Sequence, residues 1–115
     1  MVDLKPQITY EDFTKIDIRV GEIIHADVLT KARKPSIVLQ IDFGSDVGQK
    51  TSSAQITECY SPEELIGKQV MAVINFAPRN IAGFVSEVLV LGIYAKQGVV
   101  LLKPEQMVAK GDIIG

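Results

Sequence analysis

The run Ser61-Pro62-Glu63-Glu64-Leu65-Ile66-Gly67 constrains the fold of this chain more than any other stretch. It is a complete short helix in seven residues. Ser61 caps, Pro62 fits the first turn, Glu64 completes a capping box and Gly67 ends it. The flanking segments carry the two-residue alternation of strands. Before it, Ile16, Ile18 and Val20 alternate with Asp17 and Arg19, and the strand continues past Gly21 over 22–29, with Gly21 allowing a bend or bulge. Ile37, Leu39, Ile41 and Phe43 share one face of a strand over 36–43. Residues 44–48 form a glycine turn, and 49–55 make a more polar third strand. After the helix come strands over 68–76 and 86–94, a short extra strand over 98–102, and a turn with a closing strand towards Ile114. An earlier helix over 10–15 is announced by Thr9 and Asp12, a hydroxyl cap and a carboxylate three residues later.

Five strands with one helix between the third and fourth is the order of an oligonucleotide- and oligosaccharide-binding (OB-fold) barrel. The expected class is therefore all-β with short helices: a five-stranded Greek-key barrel over residues 10–115, preceded by a tail over 1–9. A chain of 115 residues matches one domain. At this size a domain buries about two-thirds of its surface or less, yet apolar residues make up 47% of the chain and its mean hydropathy is +0.22. Val88-Leu89-Val90-Leu91 is apolar on both faces, so it needs cover from the C-terminal extension or from a second copy of the chain. Both features predict an oligomer built on the terminal extensions.

Several functional classes are excluded. No segment approaches the ~18 apolar residues of a membrane span, and the N-terminus lacks the pattern of a secretory signal, so the expectation is a cytoplasmic protein without membrane insertion. A lone cysteine, Cys59, allows neither an internal disulfide nor a cysteine metal cage and reads as a small buried hydrophobe. His25 stands alone and reads as a structural or surface group. Glu63 and Glu64 suit a helix start, and Asp42 and Asp46 flank a glycine turn without making a calcium loop. No glycine-rich phosphate loop occurs. The chain is thus expected to be no enzyme, to need no cofactor or metal, and to work without ATP. A net charge of −2 and a pI near 5.3 argue against strong non-specific duplex binding. Lys31, Arg33 and Lys34 cluster in a polar connection, as a solvated turn or as a shape-selective electrostatic site.

The stretch from Asn75 to Glu87 is the candidate recognition loop. Pro78 fixes one backbone angle and Gly83 frees another. Arg79 can pair with a phosphate or carboxylate or stack on a ring; the alternative is a surface salt bridge to Glu87. Asn75 can bond a base edge or a peptide amide, or brace the loop. Ser53 and Ser86 offer adaptable hydroxyls or simple caps. Phe84 follows Gly83 and is expected to be exposed. Phe76 continues the face of Val70, Ala72 and Ile74 and is expected in the core, although exposed it could stack bases.

These residues carry a resemblance. Asp17-Ile18-Arg19-Val20-Gly21 is similar to the opening motif of the tRNA-binding domain family, which includes the C-terminal extension of bacterial methionyl-tRNA synthetases and the cytokine-like tRNA-binding cofactors. Residues 60–68 continue the pattern, and Asn75, Pro78, Arg79, Gly83, Ser86 and Glu87 complete it. Ile41-Asp42-Phe43-Gly44, Ser52-Ser53-Ala54-Gln55-Ile56-Thr57 and Arg79-Asn80-Ile81-Ala82-Gly83-Phe84 most resemble the CsaA-type branch of protein-export chaperones. The resemblance implies an OB-fold homodimer that joins through the N-terminal helix and the segment after the barrel. It implies a surface for unfolded precursor polypeptides, handed on to the secretion machinery, with Phe76, Ile81 and Phe84 as apolar groups and Arg33, Lys34 and Arg79 as a charged edge. For tRNA it implies contacts from Ser53, Asn75, Arg79 and Ser86. Where many tRNA-binding members carry a His-Pro-containing stretch after the first strand, this chain has the shorter Thr30-Lys31-Ala32-Arg33-Lys34-Pro35, which favours the chaperone reading.

Overall fold

Two capping boxes punctuate the chain where the side chains demand them. In a computed structural model that describes residues 3–30 and 33–115, helix α1 spans Tyr10–Thr14; Asp12 N–H donates to Thr9 Oγ1, and Thr9 N–H donates to Asp12 Oδ2, both at 3.2 Å. Helix α2 spans Pro62–Leu65, with Ser61 N–H donating to Glu64 Oε1 at 2.8 Å. Gly67 closes it with φ +90°, a backbone angle that glycine adopts freely.

The strands follow the alternation. Strands β1 (Ile18–Leu29), β2 (Ser36–Asp42), β3 (Gln49–Ala54), β4 (Gln69–Val73) and β7 (Leu89–Val90) form one antiparallel sheet in the order β3-β2-β1-β4-β7. Two hairpins stand beside it, β5 (Arg79–Ile81) with β6 (Phe84–Ser86), and β8 (Gly92–Ala95) with β9 (Gly98–Leu101). The sheet curls, and β3 meets the segment after β6: Thr51 O accepts from Glu87 N at 2.8 Å and from Val88 N at 3.2 Å. This is the five-stranded, OB-like half-barrel that the element order implies. Ile37, Leu39, Ile41 and Phe43 are fully buried in the core with Ile23, Ile56 and Val70, and Leu65 of α2 is buried among them.

Four expectations change. Gly21 makes no bulge; the irregularity in β1 falls between Ile23 and His25. Gly21 is there for space, since a Cβ would lie 2.5 Å from Ile41 Cγ2 and 2.8 Å from the Phe43 ring. The single strand expected over 86–94 breaks up: Ser86 ends β6, and β7 and β8 follow as separate short pieces. The recognition loop is itself a hairpin, turning through Ala82 (φ 51°) and Gly83 (φ 84°), the pair of positive φ values that a tight two-residue turn requires. The closing strand shrinks to a single bridge between Ile113 and Arg19, flanked by Gly111 N–H to Val20 O at 2.7 Å and Ile114 N–H to Ile18 O at 2.9 Å. The apolar outer face at Leu89 stays open within this chain, at 48% exposure. Among the described residues no helix is long and apolar enough to cross a membrane.

Candidate functional site

A cavity of about 460 Å³ opens between the end of β4 and the seam where β6 and β7 meet β3. Phe76, Ala77, Ile81, Val88 and Leu89 give it apolar walls. Ser53, Ser86, Glu87 and Arg79 are its polar members. The seam accounts for most of that polarity. Ser86 Oγ accepts from Ser53 N–H at 3.1 Å, and the Ser86 side chain is buried. Glu87 Oε1 accepts from Thr51 N–H at 3.1 Å and lies 3.0 Å from the Thr51 hydroxyl. That hydroxyl also reaches Val85 O at 2.7 Å. The N–H groups of Thr51 and Ser53 at this edge of β3 are thus taken up by the side chains of 87 and 86, while Thr51 O is met by main-chain N–H groups.

Arg79 differs from its neighbours. It is exposed, and among the described residues it enters no ion pair. The salt bridge to Glu87 that the sequence allowed does not form, and that carboxylate turns its Oε1 to Thr51. The cavity therefore presents one unneutralised guanidinium beside apolar walls.

The expected site residues divide. Ser53, Phe76, Arg79, Ile81 and Ser86 line the cavity together. Phe76 is 57% exposed, which overturns its expected place in the core. β4 ends at Val73, so the alternation that Phe76 continues on paper no longer has a strand beneath it. Phe84 pairs with Ile81 across the hairpin and is half-buried, outside the lining. Asn75 also stands outside the lining; its amide bonds the main chain of Lys15 and Asp17. Arg33 and Lys34 are exposed ahead of β2 and do not line the cavity. Lys31 lies outside the described residues. Leu89 lines the cavity unforeseen, although its position on a two-faced apolar strand was the signal for it.

Bond-making chemistry has little to work with here. The lining holds no histidine, cysteine or lysine, its one carboxylate is bonded to Thr51, and the Ser86 hydroxyl is engaged. Among the described residues no group of three His, Cys, Asp or Glu side chains could hold a metal ion. Elsewhere, His25 pairs with Asp27 at 3.0 Å on the surface. Cys59, only half-buried, directs its thiol to Gln97 O at 3.4 Å. A second cavity of about 440 Å³ includes Tyr60, Lys68, Leu101, Lys103 and Met107, with the Lys68 ammonium 5.4 Å from the centre of the Tyr60 ring.

Comparison with known proteins agrees with this geometry. The family described as "Putative tRNA binding domain" matches residues 18–113. A chaperone CsaA structure from Picrophilus torridus superimposes with a TM-score of 0.90 at 51% identity, covering 95% of this chain and all of that one. The chaperone CsaA structure from Bacillus anthracis gives 0.89 at 49% identity, covering 96% of this chain and all of that one. The methionine–tRNA ligase of Flavobacterium psychrophilum is 47% identical over 87 residues, 76% of this chain but 12% of the ligase. The chain thus spans only a small part of the ligases it matches, and it carries the fold, the motifs and the full-length likeness of a binding domain: it belongs to the tRNA-binding domain family.

Proposed function

We propose that this protein is a homodimeric, ATP-independent chaperone that holds extended stretches of unfolded precursor polypeptide in the cytoplasm for export. The observation that carries this reading is the open apolar groove of Phe76, Ile81 and Leu89 with the unpaired Arg79 beside it. Burying one Leu- or Phe-sized side chain there contributes roughly 1.5–3 kcal/mol. An exposed ion pair to Arg79 contributes ~0–1 kcal/mol. Apolar capture therefore sets affinity, and Arg79 sets orientation by favouring chain flanks that carry carboxylates. The likeness to chaperone CsaA structures along nearly the whole chain supports the same reading. So do the exposed Tyr10, Met107 and Ile113 on the terminal extensions and Tyr94 on the β8–β9 hairpin, which give a second copy apolar surface to cover.

The family match favours a second reading, a structure-selective tRNA-binding module that uses the same groove. Its affinity would come from phosphate contacts, and a chain of net charge −2 has few to offer.

Binding of an unfolded secretory precursor and of total tRNA across a salt series separates the two. The chaperone reading expects precursor binding that is nearly insensitive to salt and to ATP. Failure to bind the precursor, with tRNA binding that falls steeply with salt, would replace it with the second reading.

A further inference from the structure

The chain leaves the main sheet at Asn75 by swapping a backbone group for a side chain. Val73 pairs with Ile18, and Ile74 N–H donates to Asp17 O at 2.9 Å. In a regular antiparallel ladder Asp17 N–H would return a bond to Ile74 O. It finds Asn75 Oδ1 instead, at 3.0 Å. The main chain of residue 75 is thereby free to turn away and carry Phe76 into the groove wall. The same amide donates through Nδ2 to the carbonyl of Lys15, the C-cap of α1, at 2.7 Å. Asp17 in turn holds Arg19 Nε at 2.7 Å, and Arg19 Nη1 reaches Gly111 O at 3.3 Å in the C-terminal segment. The N-terminal segment and the start of the groove wall meet at one short amide, and the C-terminal segment is tied to the same stretch through Asp17 and Arg19. The chemistry suits asparagine: neutral, with an acceptor and a donor on one planar head. Aspartate would turn lone pairs toward the Lys15 carbonyl.

We propose that Asn75 is a positioning residue, which sets the course of Phe76 to Arg79 by clamping the end of β4 to the C-terminus of α1. Order in the N-terminal helix is then transmitted to the groove, and ligand does not bond the Asn75 amide. The ligand arm of this proposal rests on the groove being the binding site; its structural arm does not.

The test uses the full chain labelled with fluorophenylalanine. There are four phenylalanines, and Phe76→Leu assigns the resonance of interest. Two variants are compared, Asn75→Ala and Thr9→Ala. The second removes the cap of α1 at a residue that does not line the cavity. Without ligand, both variants are expected to shift the Phe76 resonance while leaving that of buried Phe43 in place. Both should also speed exchange of the Asp17 amide about 3–10-fold, the factor for one net hydrogen bond. With a permanently unfolded probe, reduced and carboxymethylated lactalbumin, both should weaken binding by a similar factor. A Thr9→Ala chain with unaltered Phe76 signal and unaltered affinity, beside a weakened Asn75→Ala, would overturn the proposal and make Asn75 a ligand contact. If the parent chain fails to bind the probe, the groove reading falls, and the Phe76 resonance alone decides the positioning role.

Discussion

Glu87 gives its carboxylate to Thr51, taking the backbone N–H at 3.1 Å with the hydroxyl 3.0 Å away. That relationship joins the main-chain bonds to Thr51 O in closing the seam of the half-barrel, beside an Arg79 without an ion pair among the described residues. Glu87→Ala removes the acceptor from a half-buried N–H at the edge of β3. An N–H stranded this way costs about 1–3 kcal/mol. The urea midpoint is expected to fall accordingly with an unchanged m-value. Glu87→Gln, which keeps an amide oxygen in reach, should lose less. Equal stability of Glu87→Ala and the parent chain would show that water serves Thr51 as well as the carboxylate does.

Arg79→Ala is expected to leave stability within about 0.5 kcal/mol, as for surface positions without partners. Its effect falls on binding. Affinity for an acidic-flanked unfolded segment should drop severalfold, and any tRNA binding should lose about one phosphate's worth of salt dependence. Arg79→Lys keeps the charge but not the planar fork, so it should restore salt dependence better than orientation. Unchanged affinity of Arg79→Ala for both ligands would remove the residue from the site.

The legible parts of this fold are those fixed by residues close together in the chain. The alternation of Ile37, Leu39, Ile41 and Phe43 placed a buried face correctly, and the Thr9–Asp12 and Ser61–Glu64 pairs marked both helix starts. The parts that stayed hidden are a side chain standing in for a backbone group 58 residues away and a turn at an unexpected residue. Asn75 ends the β1–β4 ladder, so the apparent periodicity through Phe76 misleads. The β5–β6 hairpin turns on Ala82, a residue without a turn preference, held at φ 51° beside Gly83. Of the site, the family motif brought Ser53, Arg79 and Ser86 to one place. It could not reveal that the Ser86 hydroxyl is bonded to Ser53 while Arg79 stands free.

Acid should loosen the attachment of the C-terminal segment. The Asp42 carboxyl is held below its usual pKa, first by the Gly44 N–H at 2.9 Å and then by the Lys110 ammonium at 3.0 Å. A carboxyl depressed in the folded state adds stability above its unfolded pKa, about 3.9. That stability is lost as pH falls through the folded value. Lys110, raised chiefly by its bond to Asp42, adds stability that is lost only as pH climbs through its raised value in the alkaline range. Urea midpoints measured downward through about pH 4 should therefore fall less steeply for Asp42→Asn than for the parent chain. Parallel profiles would show that the pair contributes nothing to folding.

Gly21→Ala tests whether that glycine serves space or flexibility. Replacing glycine with alanine normally stabilises a compatible site by about 0.4–1 kcal/mol through the unfolded chain. Gly21 has no positive φ, so its backbone accepts an L side chain without strain. The obstacle is crowding. A Cβ would sit 2.5 Å from Ile41 Cγ2 and 2.8 Å from two Phe43 ring carbons, and both neighbours are fully buried with nowhere to retreat. Overpacking of this kind costs about 1–3 kcal/mol, more than the entropic gain. The substitution should lower the urea midpoint. Pairing it with Phe43→Leu should recover part of the loss, so that the double variant is more stable than the sum of the singles allows. Strict additivity, or a stabilising Gly21→Ala, would mean that β1 shifts to accommodate the methyl and that Gly21 is not the close-contact point of the barrel.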